Sequence, residues 1–202
     1  WLDEDPQYTI NTKTQFSTVE NARQALMGCY GYMSADNAYG QAWQEVTFGY
    51  CGFGWSQTNG SSTDLLVSMD GGIDETINTM AWRGMYKVIG ETNAFIANIA
   101  DSPLESADKL PMEAAARFLR ALAYYNLAVT YGDVPLKTTP SAHDGVAVPR
   151  SPKNEVFELV RTDWEFAYEN LPEKDDDGFA TKWAAKAYLG KLYHTLGCQG
   201  DN

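Results

Sequence analysis

The stretch Glu113–Pro135, EAAARFLRALAYYNLAVTYGDVP, decides the fold. It holds neither glycine nor proline from Glu113 to Tyr131, and strong helix formers fill most of its positions. Phe118, Leu122, Tyr125 and Val129 follow at steps of four, three and four, so they share one helical face. Leu119, Ala121, Ala123, Leu127 and Ala128 cover much of the remaining surface, and only Arg117, Arg120, Asn126 and Thr130 interrupt it. Such a helix is expected to be wrapped by other helices on most sides. Gly132 supplies a left-handed stop and Pro135 prevents continuation. A central helix so rich in small residues marks helices stacked in pairs.

Working outward toward the N-terminus, Trp82, Tyr86, Ile89, Asn93 and Ile96 recur at four, three, four and three. They define a buried stripe on a helix capped near Asp74 and running to about Ala100, with Asn93 as a hydrogen-bonded core amide. Ser17-Thr18-Val19-Glu20 is a capping box, the Ser17 hydroxyl on an orphan amide and Glu20 reaching back. Val19, Ala22, Leu26, Tyr30 and Met33 then mark a first helix to about Ala35, with a further short helical turn over Trp43–Phe48. Residues 1–16 show no period and carry Asp3, Glu4, Asp5 and Pro6, which predicts an extended arm.

Toward the C-terminus, Pro135, Pro140 and Pro149 make residues 133–150 a surface crossover. Ser151 as N-cap with Pro152 at the first helical position opens a fourth helix. Its Val160, Trp164, Ala167 and Pro172 have the spacing of the second helix of a tetratricopeptide repeat. After the acidic loop Glu173–Gly178, Thr181 starts a fifth helix, whose Leu189-Gly190-x-x-Tyr193 copies the first-helix pattern of that repeat. A shift of 65 residues superposes Thr130-Tyr131-Gly132 on Thr195-Leu196-Gly197, well above the usual ~34-residue period because the crossover is inserted. The expectation is an all-α chain of tetratricopeptide-like helical pairs with long loop insertions, spanning 17–202 after the arm.

Arg117-Phe118-Leu119-Arg120-Ala121, Tyr124-Tyr125 and Tyr131-Gly132-Asp133-Val134-Pro135-Leu136 resemble the signature of the SusD/RagB family of outer-membrane nutrient-binding lipoproteins, mostly for glycans. The similarity extends to Arg150 with Pro152-Lys153 and Val156, and to Thr181-Lys182 with Ala184-Ala185. Leu2-Asp3 before Pro6 resembles the segment that follows a lipidated cysteine, so the implied membrane contact is an N-terminal lipid anchor absent from this sequence. One departure is Gly178-Phe179, where the family usually has Gly-Arg, which weakens any salt bridge carried over from it. Family members run to roughly twice this length or more, and the last helix lacks its pair. The chain is therefore expected to be truncated at its C-terminal end.

A net charge of −12 argues against nucleic acid and against electrostatic docking on anionic lipid. A soluble, self-repelling surface accounts for it. Cys29, Cys51 and Cys198 form no CxxC and His143 and His194 are isolated, so no zinc spacing exists and no cofactor is implied. Buried thiols and a Cys29–Cys51 disulfide in an exported protein are both open, the first preferred. No window nears the ~18 consecutive apolar residues of a membrane span.

Residues 48–63, FGYCGFGWSQTNGSST, differ from everything else. Phe48, Tyr50, Phe53 and Trp55 are separated by Gly49, Gly52 and Gly54, and so much glycine suits neither helix nor flat strand. Sugar rings present flat C–H faces that pack on aromatic rings, while amides and carboxylates take the hydroxyls. Trp55, Tyr50, Phe53, Asn59 and Asp64 supply both kinds of group and are the candidate carbohydrate-binding residues. The structural alternative is that Phe48 and Phe53 plug the core beside the first two helices. In the resembled family this region contributes to the glycan-binding face.

Catalysis finds no support in the sequence. Asp64, Asp70, Asp74 and Glu75 lie near the aromatic run, but nothing assigns a pair to acid and base roles. Asp175-Asp176-Asp177-Gly178 lacks the spaced calcium-loop pattern and reads as a solvated loop before a helix. The resemblance implies a non-catalytic, surface-exposed outer-membrane protein that captures oligo- or polysaccharide for import through a SusC-like TonB-dependent transporter. The competing reading is a tetratricopeptide-like peptide-binding or protein–protein scaffold, peptide import included. A helical glycosidase fragment ranks last.

Overall fold

The structure, a computed structural model, describes residues 12–49, 51, 68–69, 76–140, 148–175 and 177–198. Among these residues there are seven helices: α1 (Thr12–Gln15), α2 (Val19–Ser34), α3 (Ala42–Gly49), α4 (Thr76–Ala100), α5 (Ser106–Tyr131), α6 (Lys153–Asn170) and α7 (Lys182–Cys198). A wide turn at Asp36–Gly40 joins α2 to α3. Two short antiparallel strands, β1 (Val134–Pro135) and β2 (Arg150–Ser151), pair Val134 with Ser151 and Pro135 with Arg150, clamping the two ends of the crossover. The predicted all-α architecture is the one observed.

Helix α5 is the centre. Ala116, Ala121, Ala123, Tyr124, Leu127 and Ala128 have no exposed surface at all, so burial is not confined to one stripe. Val129, expected on the enclosed face, is instead 47% exposed, because the helix emerges from its neighbours in its last turn. Gly132 stops the helix at φ +75°, and its N–H bonds the Ala128 carbonyl, as its sequence position predicted. The start lies seven residues before Glu113, and Pro111 sits inside the helix. Pro111 cannot donate to the Ala107 carbonyl one turn back, but Ala107 is exposed, where water can replace that donor.

The helices on either side run antiparallel to α5. Asn93 and Met85 of α4 meet Arg120 and Asn126, and Trp164 and Phe157 of α6 meet Phe118 and Tyr125. Helix α7 then lies along α5 and α6, with Tyr188 ring centroids 5.5 Å from Phe118 and 5.2 Å from Trp164. Val160, Trp164 and Ala167, the three helical positions of the repeat pattern, are all fully buried.

Several local expectations change. In α4 the most enclosed positions are Ala81, Met85, Val88, Thr92 and Ile99, while Trp82, Tyr86 and Ile96 are half-buried at the rim. Thr18, not Ser17, caps α2, accepting the Asn21 N–H at 3.2 Å, while the Ser17 hydroxyl turns back to the Thr14 carbonyl. Pro152, not Ser151, occupies the cap of α6, and the Asp133 carboxylate takes the Lys153 N–H at 2.9 Å from across the strand pair. Residues 12–16 depart from the extended arm expected there. Thr12–Gln15 form a helical turn, and Phe16 is buried against Phe95.

All three cysteines are free, and only Cys29 is buried, so burial accounts for one thiol and the Cys29–Cys51 pairing is not formed. Burial, with Glu91 nearby, pushes the Cys29 thiol up to about 12, which makes it inert.

The acidic loop before α7 is tied to α2. Arg23 donates to Asp177 at 2.7 Å and to Asp175 at 3.1 Å, and its guanidinium lies 4.6 Å over the Phe179 ring. Phe179 also stacks on Tyr30 at 4.9 Å, and the Tyr30 hydroxyl accepts the Ala180 N–H. The phenylalanine that departs from the family pattern is thus a 9% exposed wedge beneath an arginine from another helix. Asp175 also accepts the N–H groups of Asp177 and Phe179, so its oxygens are engaged by the protein itself.

Candidate functional site

The aromatic run begins on a helix with two unlike faces. Ala42, Trp43, Val46 and Gly49 of α3 are buried, and Trp43 lies 6.4 Å from the Tyr39 ring. Phe48, in the last turn, points away from that anchored face and is 67% exposed. It does not plug the core, contrary to the structural alternative read from the sequence. Cys51, also exposed, donates its N–H to the Phe48 carbonyl in a turn at the end of α3. The candidate residues Tyr50, Phe53, Trp55, Asn59 and Asp64 lie outside the described residues, as do Asp70, Asp74 and Glu75. The described part of the run, Phe48, Gly49 and Cys51, lies at the end of α3.

A second aromatic surface, not singled out in the sequence as a site, faces the crossover. Trp82 sits 5.0 Å from Tyr86 and 5.1 Å from Tyr131, nearly perpendicular to the latter. With Ile89, Asn93, Lys137 and Val148, Trp82 and Tyr86 border an open cleft of about 290 Å³. The Tyr86 hydroxyl donates to the Pro135 carbonyl at 2.7 Å. Burial, with Tyr124 nearby, holds its pKa far above the usual phenol range, so it stays a neutral donor. The sequence signal was present in the four-residue spacing of Trp82 and Tyr86. What was missing locally was the return of residues 135–139 onto that face.

Beneath the cleft a buried polar chain crosses three helices. Asn93, 2% exposed, donates to the Lys137 carbonyl at 2.9 Å and to the Thr139 carbonyl at 3.3 Å, and accepts from Arg120 at 2.9 Å. Arg120 makes a bidentate pair with the fully buried Asp163, at 2.7 and 2.8 Å. Arg117, itself held by Glu113, reaches the same carboxylate at 3.5 Å. The Tyr124 hydroxyl both donates to the Lys137 carbonyl and accepts the Lys137 N–H. Apart from the Arg117–Glu113 pair within α5, these bonds fix backbone or a partner helix, so the network positions the crossover beneath the cleft. Asn93 is the core amide expected from its place on the stripe.

Among the described residues no cluster of His, Cys, Asp and Glu could hold a metal ion, and no helix is long and apolar enough to cross a membrane.

Comparison with known proteins agrees with this geometry. A SusD-like family model, described as starch-binding and associating with the outer membrane, matches residues 1–194. SusD-like protein P25 of Formosa agariphila is 24% identical over 207 aligned residues, covering 96% of this chain and 39% of that protein. A SusD superfamily crystal structure from Bacteroides thetaiotaomicron superposes with a TM-score of 0.79 at 24% identity, covering 91% of this chain and 44% of the other. A further crystal structure, with a xylogluco-oligosaccharide, gives a TM-score of 0.71 at 26% identity, covering 84% and 34%. The chain thus spans less than half the length of these relatives. With nearly all of its residues matched by the family model, this chain belongs to the SusD-like family.

Proposed function

We propose that the chain is the helical part of a non-catalytic, surface-exposed outer-membrane lipoprotein that binds oligo- or polysaccharide. The captured glycan is handed to a SusC-like TonB-dependent transporter for import. Membership of a family described as starch-binding and associating with the outer membrane supports the glycan and the location. The xylogluco-oligosaccharide in a structurally similar protein supports a glycan ligand as well.

The observation that supports the site is the exposed Phe48 at the end of α3, the first of the glycine-spaced aromatics. In this reading Tyr50, Phe53 and above all Trp55 give a shallow stacking platform, and Asn59 and Asp64 take sugar hydroxyls. A platform of this kind binds without an acid–base pair, and the family description names binding rather than bond cleavage.

Calorimetry or affinity electrophoresis against plant, host and microbial glycans tests the reading, with reducing-sugar release followed in parallel. Trp55→Ala is expected to weaken binding by about 1–3 kcal/mol, the scale of a truncated anchor. That corresponds to about a tenfold to hundredfold loss in affinity. Sugar release would make the protein an enzyme. Capture of peptides with no response to any glycan would establish the scaffold or peptide-import reading instead.

A further inference from the structure

The cleft between α4 and the crossover has a rigid frame. One side of it is the crossover backbone, pinned at three alternate carbonyls. Tyr86 donates to that of Pro135, Asn93 donates to those of Lys137 and Thr139, and the Tyr124 hydroxyl holds both the N–H and the carbonyl of Lys137. The other side carries the indole of Trp82, half-buried and fixed by Tyr86, tilted 44° to it, and by Tyr131, at 87°. A frame held in this way loses little freedom when a ligand arrives.

Two side chains of the lining carry polar groups that the fold does not use. Among the described residues the Trp82 indole N–H and the Lys137 ammonium make neither a hydrogen bond nor an ion pair. Both groups can only donate. The Tyr86 phenol and the Asn93 amide are spent, the latter also accepting from Arg120. No aspartate or glutamate borders the cleft among the described residues. The nearby acids are engaged elsewhere: Glu91, next to Gly90 of the lining, pairs with Lys87, and Asp133 takes the Lys153 N–H. In a chain of net charge −12, Lys137 is therefore a local positive point beside an aromatic wall. The ligand that suits such a cleft has a flat C–H face, several acceptor oxygens and a negative charge. A cavity of about 290 Å³ takes one sugar ring and not a chain.

We propose that this cleft binds a single acidic sugar residue, a uronate or a sugar sulfate, at a site that involves none of the glycine-spaced aromatics. The ring stacks on Trp82 and the anionic group pairs with the Lys137 ammonium. Lysine offers a compact point charge and not the planar fork of arginine, so carboxylate and sulfate are both accommodated. The inference rests on the glycan-binding reading above and adds to it a class of sugar.

The experiment uses the full polypeptide that contains this chain, labelled with fluorotryptophan and followed by fluorine NMR. The Trp82 resonance is the one that disappears in Trp82→Phe. Methyl glucuronide or glucose sulfate is expected to shift it saturably, the tighter of the two telling carboxylate from sulfate ester. Methyl glucoside should bind about fivefold more weakly, the scale of one lost ion pair. Lys137→Gln should abolish both the preference for the acidic sugar and its weakening by added salt. That variant should melt within about 1–2 °C of the parent, because the bonds that pin Lys137 are made by its backbone. Trp55→Ala should leave the Trp82 response unchanged. A Trp82 resonance that neither acidic sugar moves would overturn the proposal, and glycan binding that Trp55→Ala still weakens would show the platform reading standing without it. An equal response to methyl glucoside would remove the charge from the recognition and overturn it as well. So would an equal response to sodium acetate or inorganic sulfate, which would leave the cleft a simple anion site.

Discussion

Gly84→Ala is the sharpest test of the packing described above. Gly84 lies on α4 where that helix crosses the wide turn Asp36–Gly40. A Cβ at this position would fall 1.8 Å from the Asn37 carbonyl oxygen and 2.4 Å from its carbon. Real Cβ atoms essentially never approach closer than 3.0 Å, so the turn and the helix would have to separate by 3.0 − 1.8 = 1.2 Å. Both clashing atoms are backbone, and the neighbouring Ala38 and Met85 are fully buried, so no flexible side chain can absorb the shift. Overpacking of this kind costs about 1–3 kcal/mol, and a backbone clash belongs at or above the upper end. Alanine recovers about 1 kcal/mol of helix propensity, leaving a net loss of about 2 kcal/mol or more. For a domain of this size that lowers the melting temperature by about 4–8 °C. Gly28→Ala is the internal control, because Gly28 is exposed on α2 and an added Cβ meets nothing within 4 Å. It should raise stability by up to about 1 kcal/mol. Thermal melts of the two variants beside the parent decide the matter. If Gly84→Ala melts with or above Gly28→Ala, the close crossing of α4 and the turn is wrong.

Three further outcomes follow from the core and the clamp. Asp163→Ala leaves the buried Arg120 guanidinium without its carboxylate and should destabilise by about 3–5 kcal/mol in denaturant titration, with Asp163→Asn milder because the shape is kept. Leu122→Asp puts a carboxylate on an 8% exposed position of α5 and should cost about 4 kcal/mol or more, so an unchanged melt would place α5 at the periphery. The third outcome depends on pH. Burial alone pushes the Asp175 carboxyl up, but the Phe179 N–H, the Arg23 guanidinium and the Asp177 N–H outweigh it and hold the group below its ordinary value. A depressed carboxylate stabilises the fold above the unfolded value of ~3.9 and loses that contribution as pH falls through the folded value. The stability gap between the parent and Arg23→Ala should therefore be full at neutral pH and close in acid below ~4, whereas a gap independent of pH would sink the assignment.

Much of the fold could be read locally because helix periodicity is a local signal. The five long helices, the glycine stop at Gly132 and the repeat-like Val160, Trp164 and Ala167 all follow from spacing alone. The early start of α5 was hidden because Pro111 reads as a break, and only the exposure of Ala107 shows why it is tolerated. In α4 the large aromatics drew the stripe toward Trp82 and Tyr86. Their polar tips belong at the rim, and the enclosed side is built from Ala81, Met85 and Val88, which have no such signature. The Asp133 cap, the Arg120–Asp163 pair and the contact beneath Gly84 join residues 20 to 47 positions apart, and no local pattern announces them. The aromatic run stood out by composition, and Phe48 supplies its structural footing.

The link from Arg23 to Asp177 spans 154 positions. Helix α2 is synthesised well before the loop that holds it. At about 5–20 residues per second, translation leaves some 8–30 s between the two. Throughout that interval the apolar side of α2, with Leu26 and Met33, can rest on α4 and α5 once those exist but cannot be locked. Closure of this contact therefore waits until the loop has been made. Any factor that must keep the nascent chain unfolded has a window measured in seconds in which to act.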